Sequence, residues 1–191
     1  MGNRLVLSGD VMKSVCLILL SLSGLGLLVN SVDDPAYTHP QIKEYGKVIR
    51  LPDAAQQPRD GSRLVVDIIR GGEPQQLNSA IEKVCRFVNI YAGAGRAPAS
   101  ADIAIVLHGD TTLCVLNDQA YRSRFGCDNP NLACLKLLRD ADVEIFVCGQ
   151  SLLGKGGQPD QVCPQAAVAV SALTALVNLQ ADGYAYIPFG K

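Results

Sequence analysis

The sequence predicts a single α/β domain on a mainly parallel sheet, and two observations carry that expectation. Its strand-like runs are apolar almost from end to end: Leu64 to Ile69 (LVVDII), Ile103 to Leu107 (IAIVL) and Val143 to Val147 (VEIFV). Strands of that kind belong to sheets covered by helices on both faces, the setting of parallel sheets. Between them lie segments whose apolar residues recur at helical spacing, as at Leu77, Ile81, Val84, Cys85 and Val88. Alternation of the two kinds of segment is the mark of repeated strand–helix–strand units.

Taken in order, Leu64 to Ile69 is read as the first strand, Gln76 to Tyr91 as a helix, and Ile103 to Leu107 as the second strand, ending at His108-Gly109-Asp110. Thr111 to Phe125 is expected to hold short helices stopped by Gly126. Asn129-Pro130 is expected to open another helix, the asparagine capping it and the proline in its first turn. The apolar face of that helix would be Leu132, Leu135 and Leu138. Val143 to Val147 is the third strand, Gln150 to Lys155 a short helix, and Ala166 to Val170 the fourth strand. Ser171 then caps a helix running through Ala181 and closed by Gly183. Tyr184 to Ile187 is the fifth strand, before Pro188.

The chain is 191 residues long, 48% hydrophobic and 18% charged, with a net charge of −1, enough for one domain with a substantial core. The charge balance gives no footing for nucleic acid. With no Trp, four Phe and six Tyr, a stacking platform for bases is also not expected. The first part of the chain differs. Val15 to Val29 (VCLILLSLSGLGLLV) is a continuous apolar run just after Lys13, shorter than the roughly 20 residues a membrane span needs. It reads as the apolar region of a secretory signal, with Val29-Asn30-Ser31 offering a cleavage site and Met12 a more usual start. Residues 1–31 are thus expected to be a signal peptide, and the mature protein periplasmic or secreted, with no stable membrane span once cleaved. An uncleaved membrane anchor is the alternative. Residues 32–62, polar and punctuated by Pro35, Pro40, Pro52 and Pro58, are read as an extended lead-in, and residues 63–191 as the folded domain.

Beyond residue 31 there are six cysteines, Cys85, Cys114, Cys127, Cys134, Cys148 and Cys163, but no CxxC, and His39 and His108 are the only histidines. No metal site of ordinary spacing is expected. Cys148 stands where a strand hands over to a helix. There the partial positive charge of unpaired backbone N–H groups favours a thiolate, and the thiolate is the nucleophile. Gly149 permits close backbone approach, and Gln150 and Ser151 add polar groups near the sulfur. The alternative is a cysteine that only fills the core. Gly149-x-x-x-x-Gly154-Lys155 has the spacing of a phosphate-binding loop, yet Gly156 stands where that loop needs a metal-binding hydroxyl. No nucleotide or other cofactor is therefore expected. Ligands of such sheets sit beyond the carboxyl ends of the strands. Both His108 and Cys148 fall at such ends, so they are expected to share one rim, with Gly109, Asp110, Gly149, Gln150 and Ser151 as candidate binding residues beside them. An imidazole there would share a proton with the thiol; a polar turn is the plainer reading. Cys85 reads as core, Cys127 and Cys134 as cysteines able to bridge, and Cys163 as a resolving partner for Cys148.

The order of LHGD, Asp118-Gln-Ala-Tyr121, Phe125-Gly126, Asn129-Pro-Asn131-Leu132, VEIFVCGQSL, Ser171-Ala-Leu-Thr174 and GYAYIPF resembles the DsrE/DsrF-like family from Leu64 to Phe189. Its exported members are the most similar. The resemblance implies a small α/β domain with a five-stranded, mainly parallel sheet, helices on both faces, and assembly into trimers or hexamers. In the sulfur-relay branch one cysteine carries sulfur as a persulfide, and the matching position is Cys148. The partners implied are a sulfur donor or acceptor protein, or a small thiol. A non-enzymatic oligomeric module that binds a small ligand, with Cys148 buried, is the competing expectation.

Overall fold

The computed structural model of the protein describes residues 36–189. Two short strands, β1 (Tyr37–Thr38) and β2 (Val48–Ile49), pair antiparallel ahead of the main sheet. That sheet has five strands: β3 (Ser62–Ile68), β4 (Ala101–Leu107), β5 (Glu144–Cys148), β6 (Ala167–Ala169) and β7 (Ala185–Phe189). Their order is β6-β5-β4-β3-β7 and every pairing is parallel. With helices on both faces, this is a single α/β domain of the expected class. The last strand runs through Pro188 instead of stopping before it. β7 is an edge strand bonded to β3 alone, and an edge is where a sheet tolerates a residue without an N–H.

Period-two alternation divides the core in two. Leu64, Val66 and Ile68 of β3, Ile103, Ile105 and Leu107 of β4, and Ile145 and Val147 of β5 face α1 (Ser79–Asn89) and, after the short α2 (Asp118–Phe125), α3 (Leu132–Asp140). The other face carries Val65, Ala104, Val106, Phe146 and Cys148. After the short α4 (Gly149–Gly154), that face is covered by α5 (Ala172–Ala181), through Ala172 and Leu179.

Helix starts follow side-chain capping more closely than apolar spacing. Helix α1 begins after Asn78, whose Oδ1 accepts the N–H of Ala80 at 2.9 Å and of Ile81 at 3.3 Å, so Gln76 and Leu77 lie outside it. Asn129 does not cap α3. Its amide donates to the carbonyls of Cys114 (2.8 Å) and Leu116 (2.6 Å), and α3 starts at Leu132 beyond a turn. The stop at Gly126 is as expected, with φ at +74°.

One buried side chain of the domain gathers much of the lead-in's backbone. Asn89, at the end of α1, accepts the N–H groups of Gln41 and Ile42 and donates to the carbonyls of Ile42, Tyr45 and Gly46. Gly46 has φ +69°, and a Cβ there would sit 2.3 Å from the Arg86 nitrogen, so this crossing needs glycine. Among the described residues no helix is long and apolar enough to cross a membrane. The Val15 to Val29 run and its cleavage site lie outside the described residues.

Candidate functional site

Strand direction decides where the chain turns at the top of the sheet. Leaving β5, it enters α4, whose Leu152 packs on Leu116 and Tyr121; Val162 joins that cluster to the core under α1 and α3. Leaving β6, the neighbouring strand, it enters α5 on the opposite face. Adjacent strands whose connections part to opposite faces open a crevice at their carboxyl ends, where ligands of such sheets collect. Cys148 is the last residue of β5, at that divide.

Its sulfur does what a serine or aspartate oxygen does in an ordinary helix cap. Cys148 is itself the cap of α4, and its Sγ accepts the Ser151 N–H at 3.4 Å. Burial pushes the thiol up, but hydrogen bonds outweigh it. They come from Ser151, through side chain and backbone, and from the backbone N–H groups of Ala172 and Gln150, and they hold Cys148 below the ordinary thiol value. The Ala172 donor belongs to the first turn of α5, so the sulfur is served from both sides of the divide. The residue is only 5% exposed and packs with Val65, Val106 and Leu179. The corner requires Gly149, where a Cβ would lie 2.9 Å from the Ala169 carbonyl oxygen of β6.

His108 continues β4 by one residue, in extended conformation, its N–H donating to the Ile68 carbonyl at 3.1 Å. The register pairs Leu107 with Val147, so the next step sets His108 beside Cys148 on adjacent strands and on the same face. Its Nε2 donates to Asp67 Oδ1 at 2.7 Å, and the hydroxyl of Tyr186 donates to Asp67 Oδ2, also at 2.7 Å. Asp67 is 4% exposed. Held between these donors, its carboxylate raises Tyr186 above the ordinary phenol value, with burial adding to the rise. One diagonal row of side chains thus crosses the same face of four neighbouring strands, from Tyr186 in β7 through Asp67 and His108 to Cys148 at the carboxyl end of β5.

Asp67 and Tyr186 were not among the residues expected at the site. A carboxylate inside the apolar run LVVDII was the signal available for the first. Nothing in AYIPF singles out the second.

The remaining expected residues divide. Gly149, Gln150 and Ser151 form the corner with Cys148; the exposed Gln150 side chain donates to the Val170 carbonyl at 3.4 Å. Gly109 takes φ +56° to turn the chain over Ile69. Asp110 points to Lys155, Oδ1 to Nζ 2.6 Å. That ion pair also accounts for the lysine of the phosphate-loop spacing, whose intervening residues form α4.

Cys163 packs in the core under α1 and α3, away from the cluster that holds Cys148, and burial raises its thiol. It is not placed as a resolving partner. Nor do Cys127 and Cys134 pair: Cys127 lies 3.6 Å from the Pro74 carbonyl, and Cys134 lies against Cys85. All six cysteines among the described residues are free. Among the described residues no group of three His, Cys, Asp or Glu side chains gathers as metal ligands would.

The pattern that defines the DsrE/DsrF-like family matches residues 64–189. The chain belongs to the DsrE/DsrF-like family. No curated protein matches its sequence. Among solved structures, a protein of unknown function from Methanobacterium thermoautotrophicum is similar, with a TM-score of 0.51 and 20% identity. The match covers 67% of this chain and 99% of that one. At that identity the likeness speaks for the DsrE/DsrF-like fold alone. The matched residues run from β3 to β7 and contain Asp67, His108, Cys148 and Tyr186.

Proposed function

We propose that the protein is an exported sulfur carrier that accepts and passes a sulfur atom on Cys148. The observation that carries this reading is a thiol held below its ordinary value by N–H donors from two helix starts, at the divide between β5 and β6. Membership in a sulfur-relay type of family supports it, and the Val15 to Val29 run supports export to the periplasm or beyond.

The chemistry needs no cofactor. The Cys148 thiolate attacks the outer sulfur of a persulfide on a donor protein or small thiol. The donor S–S bond breaks, the donor leaves as a thiolate, and Cys148 becomes a persulfide; transfer onward to an acceptor thiolate is the reverse step. No electrons are gained or lost overall. The N–H groups of Gln150, Ser151 and Ala172 stabilise charge on the Cys148 sulfur. His108, fixed through Nε2 by Asp67, keeps its Nδ1 free to hold or give a proton beside the thiol. Because Cys148 is 5% exposed, the donor must displace the first turn of α5 or enter along the Gln150 side.

Self-association completes the reading. Val170, just before α5, and Leu173 and Val177, one turn apart on it, are 74%, 77% and 64% exposed apolar side chains beside the site. A second copy of this chain, in a trimer or hexamer, would cover them.

Mature protein incubated with a persulfide donor should gain about 32 Da, the mass of one sulfur, and Cys148→Ser should gain none. No adduct on the wild type, or an equal adduct on the variant, would sink the reading. The competing reading is a ligand-binding module in which Cys148 only packs, and the cavity of about 720 Å³ lined by Phe146, Val168, Thr174 and Leu179 favours it. Native alkylation separates the two, because a packing cysteine stays unmodified.

A further inference from the structure

Opposite the candidate site, a second pair of sulfurs lies in close approach. Cys85 in the middle of α1 and Cys134 in the first turns of α3 face each other with Sγ atoms 3.1 Å apart. Both residues are wholly buried in the core on the α1/α3 face of the sheet, among side chains such as Ile81, Val84 and Leu138. They are 49 positions apart in the chain, so a bond between them would close a long loop. Forming it asks the two sulfurs to approach by about 1 Å, to the roughly 2.05 Å of a disulfide.

We propose that Cys85 and Cys134 are a structural disulfide site, oxidised as the protein folds and tying α1 to α3. The oxidant is a disulfide, either a small molecule such as glutathione disulfide or a protein of that class. One cysteine thiolate attacks a sulfur of the oxidant, whose S–S bond breaks and releases a thiolate. The other cysteine thiolate then attacks the protein sulfur of the mixed disulfide and releases the second. The protein dithiol loses two electrons, the oxidant gains them, and the two protons end on its two thiols. Since neither sulfur is exposed once α1 and α3 dock, exchange happens before docking, and the finished bond is shielded from reductants. The pair takes no part in sulfur transfer at Cys148 and does not depend on it.

The full chain is unfolded and reduced, refolded with or without glutathione disulfide, quenched in acid, unfolded again and blocked with N-ethylmaleimide. Refolding with the oxidant should leave two fewer maleimide adducts per chain. Peptide mapping should join the Cys85 and Cys134 peptides. The linked form should melt roughly 10 °C above the reduced form, as closing a loop of this length implies. The Cys148→Ser variant should form the same link, which keeps this result separate from the fate of the sulfur-carrier reading. Complete blocking of both cysteines after refolding with the oxidant, or a link joining either of them to another cysteine, would overturn the proposal.

Discussion

On one face of the sheet, Cys85 and Cys134 lie sulfur to sulfur among aliphatic side chains; on the other, Cys148 ends a strand where two helices begin. All three are buried, and burial by itself disfavours a thiolate. The outcomes differ because of what else touches the sulfur. The Cys134 thiol is raised, first by its hydrogen bond with Cys85 and then by burial. Burial pushes Cys148 up as well, but hydrogen bonds from Ser151, Ala172 and Gln150 hold it below the ordinary value. The N–H groups aimed at its sulfur are what set Cys148 apart from the other two.

The sharpest way to break that contrast is to measure it. A small alkylating reagent on native, reduced protein should modify Cys148 at least about 100-fold faster than Cys85 or Cys134, following thiolate content and access. The Cys148 rate should rise with a midpoint below the free-thiol value of about 8.5, because its ionised form is the stabilised one. Equal rates at all three, or a midpoint above the free value, would remove the distinction. The same ionisation feeds into stability. A thiol depressed on folding contributes stability above its unfolded value, and that contribution fades as pH falls through the lower, folded value.

The next effect tests the corner that makes the difference. Gly149→Ala places a methyl group 2.9 Å from the Ala169 carbonyl, backbone that cannot yield without shifting β6. The expected loss is roughly 1–3 kcal/mol, seen as a melting temperature lower by roughly 3–10 °C. Alkylation of Cys148 should quicken as β5 and β6 part, while Cys85 and Cys134 stay protected. An unchanged melting temperature would show that the close approach is not a constraint.

How far the sequence foretold this contrast follows from the range of each interaction. The parallel sheet was legible because apolar runs and helical spacing are local patterns, and Cys148 at the end of VEIFV was legible for the same reason. The Cys85–Cys134 approach was not, since two helices 49 positions apart meet only through tertiary packing; spacing along the chain suggested Cys127 for Cys134 instead. Asp67 was passed over because LVVDII reads as a buried strand, and its use depends on His108 and Tyr186 from other strands. Asn129 beside Pro130 looked like a helix cap, but its amide is occupied by the carbonyls of Cys114 and Leu116.

A smaller effect probes the row of side chains that leads to Cys148 on its own face of the sheet. Tyr186 should titrate above the ordinary phenol value, the Asp67 carboxylate opposing its ionisation. Asp67→Asn removes that charge, so a phenolate absorbance titration should show one tyrosine midpoint moving down. With His108 no longer held by a carboxylate, sulfur transfer to Cys148 should slow about 10-fold, less than the roughly 100-fold or more that a positioned proton-transfer group contributes, because the imidazole itself remains. Cys85 and Cys134 should not respond. A tyrosine titration unaltered by the substitution would mean that Asp67 does not hold Tyr186 as the geometry shows.

The smallest expected effect isolates one donor. Ser151→Ala deletes the hydroxyl but keeps the backbone N–H that meets the Cys148 sulfur at 3.4 Å. The alkylation midpoint of Cys148 should move up while staying below the free-thiol value, because the N–H groups of Ser151, Gln150 and Ala172 remain. Ser151→Pro then removes the N–H as well, at a helix position in the first turn where proline is tolerated. Its midpoint should rise beyond that of the alanine variant. If both variants titrate like the wild type, neither donor of Ser151 sets the thiol, and the contrast with Cys134 rests on the N–H groups of Ala172 and Gln150.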